Sequence, residues 1–575
     1  MAIYRSDQAQ LTFAVEAAPG GSPELGSAVT LATLGDAGEC AINVVAGLPA
    51  GSRTLTVDGM TSAEFVAGDL IVIGTTATAN SEVRRVEFVE GTTGIVIDTP
   101  TGFFHANNTA IKIITALTSA PSGNGTDADK YITFVPGIYE TIEVPDPQMA
   151  IEPRYYLGTA SKRNPYQFLK GQQTYTGSLG GFVLLDGRAL RFPLGKVTSI
   201  PMESDGTTHA ILSVAITIDQ SGTYAYPHKG DVWLTVSGTH GLVANDHIVI
   251  YGAASVSNAE ALATAEVRKV RAISTNAIQL DAPLQFDHAD GDFIREIDTA
   301  SLDHYKHEIF ESVDLDSVSW HVHVRDSSET DANDFDRRYH GGKIGSLALS
   351  AEEGGLLTCG WDGVNFLGMN HNQSSHSGFT GNLPFYTLMQ PIRDRDISAP
   401  GTISATATAE PYYFSQGQVK LFGSVFARVR SFSLSINNNE EPRYYLRRTM
   451  GRHRGPSEIL EQRREYTCSV SLALPDATTN SSSAISVFKE LLLEGDYGSG
   501  MQGFNIELRF DRGTNDSIVI TIPDDGAAGV GGNNQGAFIN TAPHAISDAN
   551  PMEVEAEVLF RNLKIEIKDN IAVYP

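Results

Sequence analysis

Histidine supplies the first candidate chemistry in this chain. His321 and His323 flank Val322 on a segment that reads as a strand, so both imidazoles share one face, with His304 and His307 close by in sequence. Two imidazoles on one face make half of a metal site, but no spacing here supplies a clear third ligand. Asp326 to Asp336 is rich in aspartate yet lacks the glycine that a calcium loop needs at its sixth position. Gly187 to Lys196 holds a Gly-Lys pair without the spacing, or the following Ser or Thr, of a phosphate-binding loop. GxSxG and HExxH are absent, and the many carboxylates single out no acid–base pair. Cys40, Cys359 and Cys468 stand far apart without CxxC spacing, so they read as small buried hydrophobes rather than a disulfide framework or zinc site. The expectation is a protein with no catalytic residues, no metal and no cofactor.

The elements that would position such groups are strands. Phe504 to Phe510 alternates apolar and polar residues, a polar loop with Gly513 follows, and Ile518 to Ile522 alternates again, the pattern of a hairpin. One strong helix is expected. Ser482 or Ser483 caps it, Ala484, Ile485, Val487, Phe488, Leu491 and Leu492 form its apolar stripe, and Gly495 ends it. The class is therefore mainly β. At 575 residues, with 41% hydrophobic and 19% charged residues and 55 glycines, the chain suits roughly three to five folded units. No apolar run approaches the length of a membrane span, and the N-terminal residues open no signal peptide, so synthesis in a cytosol-like compartment is expected. A formal charge of -27 argues against a surface built to hold nucleic acid, although it is compatible with DNA that slides past without sticking.

Two distant stretches are nearly identical. Glu152-Pro153-Arg154-Tyr155-Tyr156-Leu157 returns as Glu441-Pro442-Arg443-Tyr444-Tyr445-Leu446. With a small shift the match continues, as Pro165, Leu169, Gln172, Tyr175, Thr176 and Ser178 meet Pro456, Leu460, Gln462, Tyr466, Thr467 and Ser469. This points to duplication of one structural unit, and a duplicated chain closes a ring with half the subunits that a single copy would need. Lys343 to Ser350 also echoes Arg428 to Ser435.

A second, independent repetition lies within the first half. Leu55-Thr56-Val57 and Gly59 resemble Leu234-Thr235-Val236 and Gly238. Glu82 to Val86 resembles Glu266 to Val270, and Ile95, Ile97, Asp98, Pro100 and His105 resemble Ile278, Leu280, Asp281, Pro283 and His288. Each copy reads as a small β-barrel or sandwich inserted at a loop tip that reaches solvent, the second just after Leu190 to Leu194. The expected organisation is a scaffold strand within 1–26, an inserted domain over 27–117 and scaffold over 118–205. A second insert over 206–298, scaffold over 299–372, a linker over 373–405 and a second scaffold domain over 406–575 complete it.

Three stretches of the scaffold resemble the tail tube proteins of long-tailed phages and related viruses. They are Ser6 to Ala14, Pro153 to Leu179, and Lys343 to Leu357 with its Ser350 to Gly355 turn. The resemblance is to the duplicated kind and covers somewhat over half the chain. It implies two tandem β-sandwich tube domains, three chains closing a pseudo-sixfold ring, and rings stacked into a hollow tube that conducts the genome. It further implies a location in the virion tail after synthesis in the host cytoplasm. The implied partners are the chain itself and other tail proteins (tape measure, terminator, baseplate), with transient non-specific passage of viral DNA and no membrane.

Within this frame, Tyr466 to Leu474 carries Tyr, Cys, Val and Leu on one face and Thr467, Ser469, Ser471 and Ala473 on the other. Thr176, Ser178 and Gly180 repeat that small face, and these residues are the candidates for lining the bore. Lys162 and Arg163 follow the first repeat, and Arg447, Arg448, Arg452 and Arg454 the second. On an acidic protein they are candidate inter-subunit contacts. The paired tyrosines read as core or interface aromatics. Three alternatives stay open: another tail or baseplate component, a β-rich polysaccharide-processing enzyme with two carboxylates in a cleft, and inserts that bind host glycans. For the last, Trp233 occurs in one insert and not in the other.

Overall fold

In the computed structural model the alternating segments are strands, and the architecture is mainly β. The structure describes residues 4–15, 29–31, 40–49, 52–60, 65–66, 70–74, 82–97, 101, 104–117, 133–134, 137–139, 141–145, 148–155, 165, 167–203, 216–219, 229–230, 233–238, 240–252, 262–274, 276–298, 302–326, 335–371, 410–421, 424–426, 429–445, 455–473, 505–513, 515–524, 537–541 and 553–574. The helix expected over Ser482 to Gly495, the linker over 373–405 and the aspartate-rich loop 327–334 lie outside the described residues. Among the described residues the one α-helix is instead Arg188–Arg191, here α1.

The scaffold strands before residue 372 begin with β1 (Tyr4–Val15), β2 (Gly137–Ile138), β3 (Ile142–Glu143), β4 (Gln148–Arg154), β5 (Gln167–Thr174) and β6 (Thr176–Leu184). They continue with β7 (Gly195–Glu203), β8 (Leu302–Glu311), β9 (Val318–Asp326), β10 (Phe335–Gly342), β11 (Ser346–Glu352) and β12 (Thr358–Asn365). After residue 409 come β13 (Gly417–Leu421), β14 (Val429–Asn437), β15 (Glu441–Arg443), β16 (Glu458–Leu460) and β17 (Glu465–Ala473). Then follow β18 (Ile506–Gly513), β19 (Asp516–Ile522), β20 (Phe538–Thr541), β21 (Glu553–Leu559) and β22 (Lys564–Asp569).

A nine-stranded sheet crosses both halves in the order β2, β6, β12, β11, β14, β17, β21, β20, with β3 also on the β6 edge. Its apolar side faces two further sheets. One has five strands, including β10, β9 and β1; the other has seven and runs β7, β8, β22, β19, β18, β13 before strand Ser424–Phe426. Phe13 on β1 meets Trp361 on β12 at 5.2 Å, and Phe432 on β14 meets Phe510 on β18 at 5.5 Å. One core cluster accordingly includes Leu11, Phe182, Trp361, Leu434, Cys468, Leu508 and Ile567. The expected hairpin is β18–β19, with Phe510 opposite Ile518 and every second side chain buried. Period-two patterning produces this directly, because successive side chains leave a strand on opposite faces.

Corresponding residues of the sequence repeats pair alike. Glu152 faces Leu169 and Pro153 faces Phe168 in the β4–β5 ribbon, while Glu441 faces Leu460 and Pro442 faces Ile459 in β15–β16. Glu143 faces Ser178 across β3–β6, and Ser433 faces Ser469 across β14–β17. The echo between Lys343–Ser350 and Arg428–Ser435 has a different basis. Its strands, β11 and β14, are adjacent, pairing from Ser346↔Asn437 to Glu352↔Ser431, and they form the seam between the halves rather than corresponding positions within them.

The two smaller sheets each close on themselves. One follows the order Val29–Leu31, Ile111–Leu117, Leu70–Ile73, Glu82–Glu90, Gly94–Ile97, Thr54–Asp58, Ala41–Ile42, and an Ala41↔Ala110 bridge closes it. The other runs Ile216–Thr217, Phe293–Glu296, His247–Tyr251, Glu266–Ser274, Ala277–Leu280, Trp233–Thr235, and Ile218↔Val236 closes it. Leu55↔Ile95 and Ile71↔Arg84 in the first match Leu234↔Ile278 and Ile248↔Arg268 in the second. Gly59 and Gly238 adopt φ of 70° and 72°, a left-handed turn that only glycine enters without strain. The second barrel leaves the scaffold after β7 rather than directly after Leu194, so it occupies the turn of the β7–β8 hairpin.

Candidate functional site: the hydroxyl and carboxylate face of the nine-stranded sheet

The side of the nine-stranded sheet turned away from the core is built from short strands of small residues. On β14, Phe432, Leu434 and Ile436 are buried while Ser431, Ser433 and Ser435 point the other way. β17 repeats this with Thr467, Ser469 and Ser471, and β11 with Ser346, Ala348 and Ser350. The registers align them into rows across the strands: Ser350, Ser433, Ser469 and Glu557 form one, and Glu352, Ser431, Ser471 and Glu555 the next. Thr176 and Ser178 lie on the same face on β6, with Thr176 and Thr467 exposed and Ser178, Ser469 and Ser471 half-buried. All five candidates for the small polar face are thus on one surface of one sheet.

Their hydroxyls engage carboxylates and each other. Ser469 Oγ donates to Glu555 Oε1 at 3.2 Å and Ser178 Oγ to Glu143 Oε2 at 2.8 Å. Thr176 Oγ1 donates to Asn365 Oδ1 at 2.9 Å, and Ser350 and Thr358 hydroxyls share a 3.0 Å bond. The face therefore combines neutral hydroxyls with Glu143, Glu352, Asp362, Glu465, Glu555 and Glu557. The cation Arg430 at its margin is paired with Glu353. The opposite solvent face, on the seven-stranded sheet, has another chemistry. There Lys306 pairs with Glu308 and Glu566, Lys420 with Glu507, and Arg509 with Asp511. One surface presents balanced ion pairs, the other hydroxyls and carboxylates, which repel a polyanion.

Residues 158–558 match the family model of the phage tail tube protein. The chain belongs to the phage tail tube protein family. Its family is one of virion tail components, which points to a structural rather than a catalytic role, and the match spans the second barrel but not the first. A comparison with curated proteins finds no match. No described helix of this tail tube protein is long and apolar enough to cross a membrane.

The remaining sequence candidates are dispersed. Lys162, Arg163, Arg447, Arg448, Arg452 and Arg454 lie outside the described residues, as does Tyr156. The tyrosines read as core or interface aromatics are not core: Tyr155 and Tyr445 are exposed and Tyr444 half-buried. His304 and His307 are on β8 of the seven-stranded sheet, whereas His321 and His323 are on β9 of the five-stranded sheet. Among the described residues no group of three or more His, Cys, Asp or Glu is placed to hold a metal. Gly187 to Lys196 folds inward around α1, with Gly187 N donating to Tyr574 Oη, Arg188 paired to Asp186 and Arg191 to Asp316. All three cysteines are buried, and burial pushes the Cys468 thiol up to about 12.

Sequence reasoning missed the buried polar clusters, because their members are far apart in the chain. Ser199 Oγ lies 2.8 Å from His307 Nδ1, and His307 Nε2 is 2.9 Å from Ile571 O and 3.4 Å from Asp569 Oδ1. The composition is that of a hydrolytic triad, but all three residues are buried and the Tyr574 ring stacks on the imidazole at 3.7 Å. A nucleophile sealed from substrate does no chemistry, so the trio ties β7, β8 and the C-terminal residues together. Gln285 Nε2 donates to Tyr574 O, and Ser199 N to Ala265 O, which seats the second barrel on the scaffold. Inside that barrel, His288 lies between Glu266 and Asp292, with Arg268 against Glu266. Burial alone would lower the His288 pKa, but its two carboxylate partners outweigh it and push the imidazolium up to about 9.

The seam between the halves carries a second cluster. Asn438 donates from Nδ2 to Ile344 O at 2.9 Å and Pro193 O at 3.0 Å, and accepts from Arg464 Nε at 2.7 Å. Glu461 accepts from Leu315 N and from the Lys343 ammonium. Beside them Glu440 is half-buried, with both carboxylate oxygens turned out of solvent next to Lys343 and Asn365. Burial, with Glu461 adding to it, pushes its carboxyl up to about 8, although Lys343 and Asn365 act the other way.

Proposed function

We propose that this tail tube family member contains two copies of one tube unit, and that three chains close a ring of six units. Stacked rings then form the tube through which the viral genome passes. The observation that carries this reading is the β11–β14 seam, which joins the first half to the second head to tail and, among the described residues, leaves dissimilar end strands, β2/β3 at one end and β20 at the other. Such a heterologous join repeats with the next chain until the ring closes, and closure removes both exposed sheet edges. Three chains would supply roughly 24 strands, and at ordinary strand spacing and tilt this makes a barrel with a bore of about 35 Å, wide enough for a DNA duplex.

The face holding Thr176, Ser178, Thr467, Ser469 and Ser471 is assigned to the bore, because short hydroxyls and carboxylates give a polyanion nothing to grip. The ion-paired face is assigned to the outer wall together with the barrels at 27–117 and 206–298. The division into tube domains at 1–26, 118–205, 299–372 and 406–575 follows the same reading. The basic tips beyond Tyr155 and Tyr445 are assigned to contacts between subunits, and tape measure, terminator and baseplate proteins to the ends of the tube.

Negative-stain microscopy and sedimentation of the purified protein test this. Hollow tubes or threefold rings are expected, and a stable monomer with hydrolase activity overturns the proposal. Arg452→Glu with Arg454→Glu should impair polymerisation, and normal tube assembly by that variant would remove the basic tips from the interface.

A further inference from the structure

The seam inside one chain is a template for the seam between chains, and the repeat says which residues would take part. The β15–β16 ribbon is held where its base meets the first half. Asn438 and Arg464 bond to first-half carbonyls, and Tyr444 Oη donates to Gln173 O at 3.2 Å. Glu440 is half-buried here, its carboxylate near Lys343 and Asn365 of the first half. In the corresponding β4–β5 ribbon, Gln173 O receives that Tyr444 bond, but among the described residues Ile151 and Tyr155 have no counterpart of the contacts made by Glu440 and Tyr444. Most of its residues are exposed, and a two-stranded ribbon alone is marginal in water.

The substitutions between the two sites are coordinated. Ile151 stands where the second copy has Glu440, and it is 58% exposed. Tyr155 stands where the second copy has Tyr444, and it is 66% exposed. On the receiving side, Thr176 pairs with Asn365 in the first copy and Thr467 with Leu559 in the second, so Leu559 stands where Asn365 stands. Leu559 is 42% exposed. A polar ribbon base meets a polar receiver inside the chain, and an apolar base and an apolar receiver remain uncovered at its two ends.

We infer that the β4–β5 ribbon seats against the second half of a neighbouring copy of this chain, with Ile151 packing on the neighbour's Leu559. This rests on the ring reading above and deepens it: the inner seam is polar and the outer seam apolar. Ile151 and Leu559 are both apolar and both exposed in the single chain, so their contact would remove apolar surface from water on each side.

Ile151→Glu tests the contact, because the side chain is exposed in the single chain and the fold has no need of it. Sedimentation velocity and negative-stain microscopy should show the protein concentration needed for rings rising about tenfold or more, with an unchanged melting temperature of the monomer. Adding Leu559→Lys should restore assembly by giving the carboxylate a partner, while Leu559→Lys alone should impair it. Wild-type tubes together with unimpaired Ile151→Glu tubes overturn this inference alone. Loss of assembly in Ile151→Glu without rescue by Leu559→Lys overturns the pairing with Leu559. Wild-type protein that stays monomeric overturns the ring reading itself.

Discussion

Glu440 is a carboxyl group placed where ionisation is unfavourable, at the seam that joins the two halves. Its folded pKa, about 8, lies above the ordinary carboxylate value, so the folded state holds this proton more tightly than the unfolded chain does. Stability from it is fully present below the ordinary carboxylate pKa and is lost as pH rises through about 8. Glu440→Gln should therefore flatten that loss, gaining on the order of a few kcal/mol above pH 8, as read from thermal melts between pH 5 and 9. An unchanged pH profile would show that the carboxyl is solvated. His288 has the same sign, with stability present below about pH 6.5 and lost as pH rises through about 9. Glu266→Gln leaves Arg268 and His288 short of a counter-charge and should cost about 3 kcal/mol, measured by denaturant unfolding. Neither cluster was legible in the sequence. Glu440 precedes the repeated hexapeptide as one more acidic residue, and only packing against Lys343 and Asn365, distant in the chain, removes it from water.

At the scale of elements, the hairpins are the units that tolerate change. β7–β8 carries an entire barrel at its turn, whereas β18–β19 turns within a few residues at Gly513 to Asp516. Loop closure entropy grows slowly with length, so an insertion at a solvent-facing turn costs little. A flexible segment inserted between Gly513 and Asn515 should leave the melting temperature within a few degrees and still permit tubes, whereas the same segment within β14 should abolish folding. Loss of folding from the turn insertion would mean that this turn is buried by another element. Strand identity was readable because alternation over Phe504 to Ile522 dictates which side chains face a core. Strand neighbours were not: the echo of β11 in β14 looked like correspondence between copies, and the seam pairs the two strands directly. Backbone pairing is indifferent to such likeness and follows the edges that remain free.

For the whole molecule, the contrast between its two solvent faces sets the expected behaviour toward DNA. A lysine on the hydroxyl face would capture phosphates by releasing counterions, an attraction that salt weakens. Virions assembled with Ser433→Lys and Ser469→Lys should release DNA more slowly, with the delay shrinking as salt rises. Unaltered release at low salt would place this face away from the genome's path. The acidic balance of the chain is represented on this sheet face by Glu555 and Glu557 in its rows.

The sequence by itself determined the β class, the residues that face inward on each strand, the repeated hexapeptide with its following strand, and the likeness of the two barrels. These are local matters, governed by period and turn chemistry within a few residues. Only the tertiary structure decided that the halves join through one continuous sheet. It also decided that Thr176 and Ser469 share a surface, that Ser199, His307 and Asp569 are sealed, and that Glu440 loses its water. Those outcomes depend on which edges and faces remain to be covered once every strand has formed, and no stretch of residues encodes that alone.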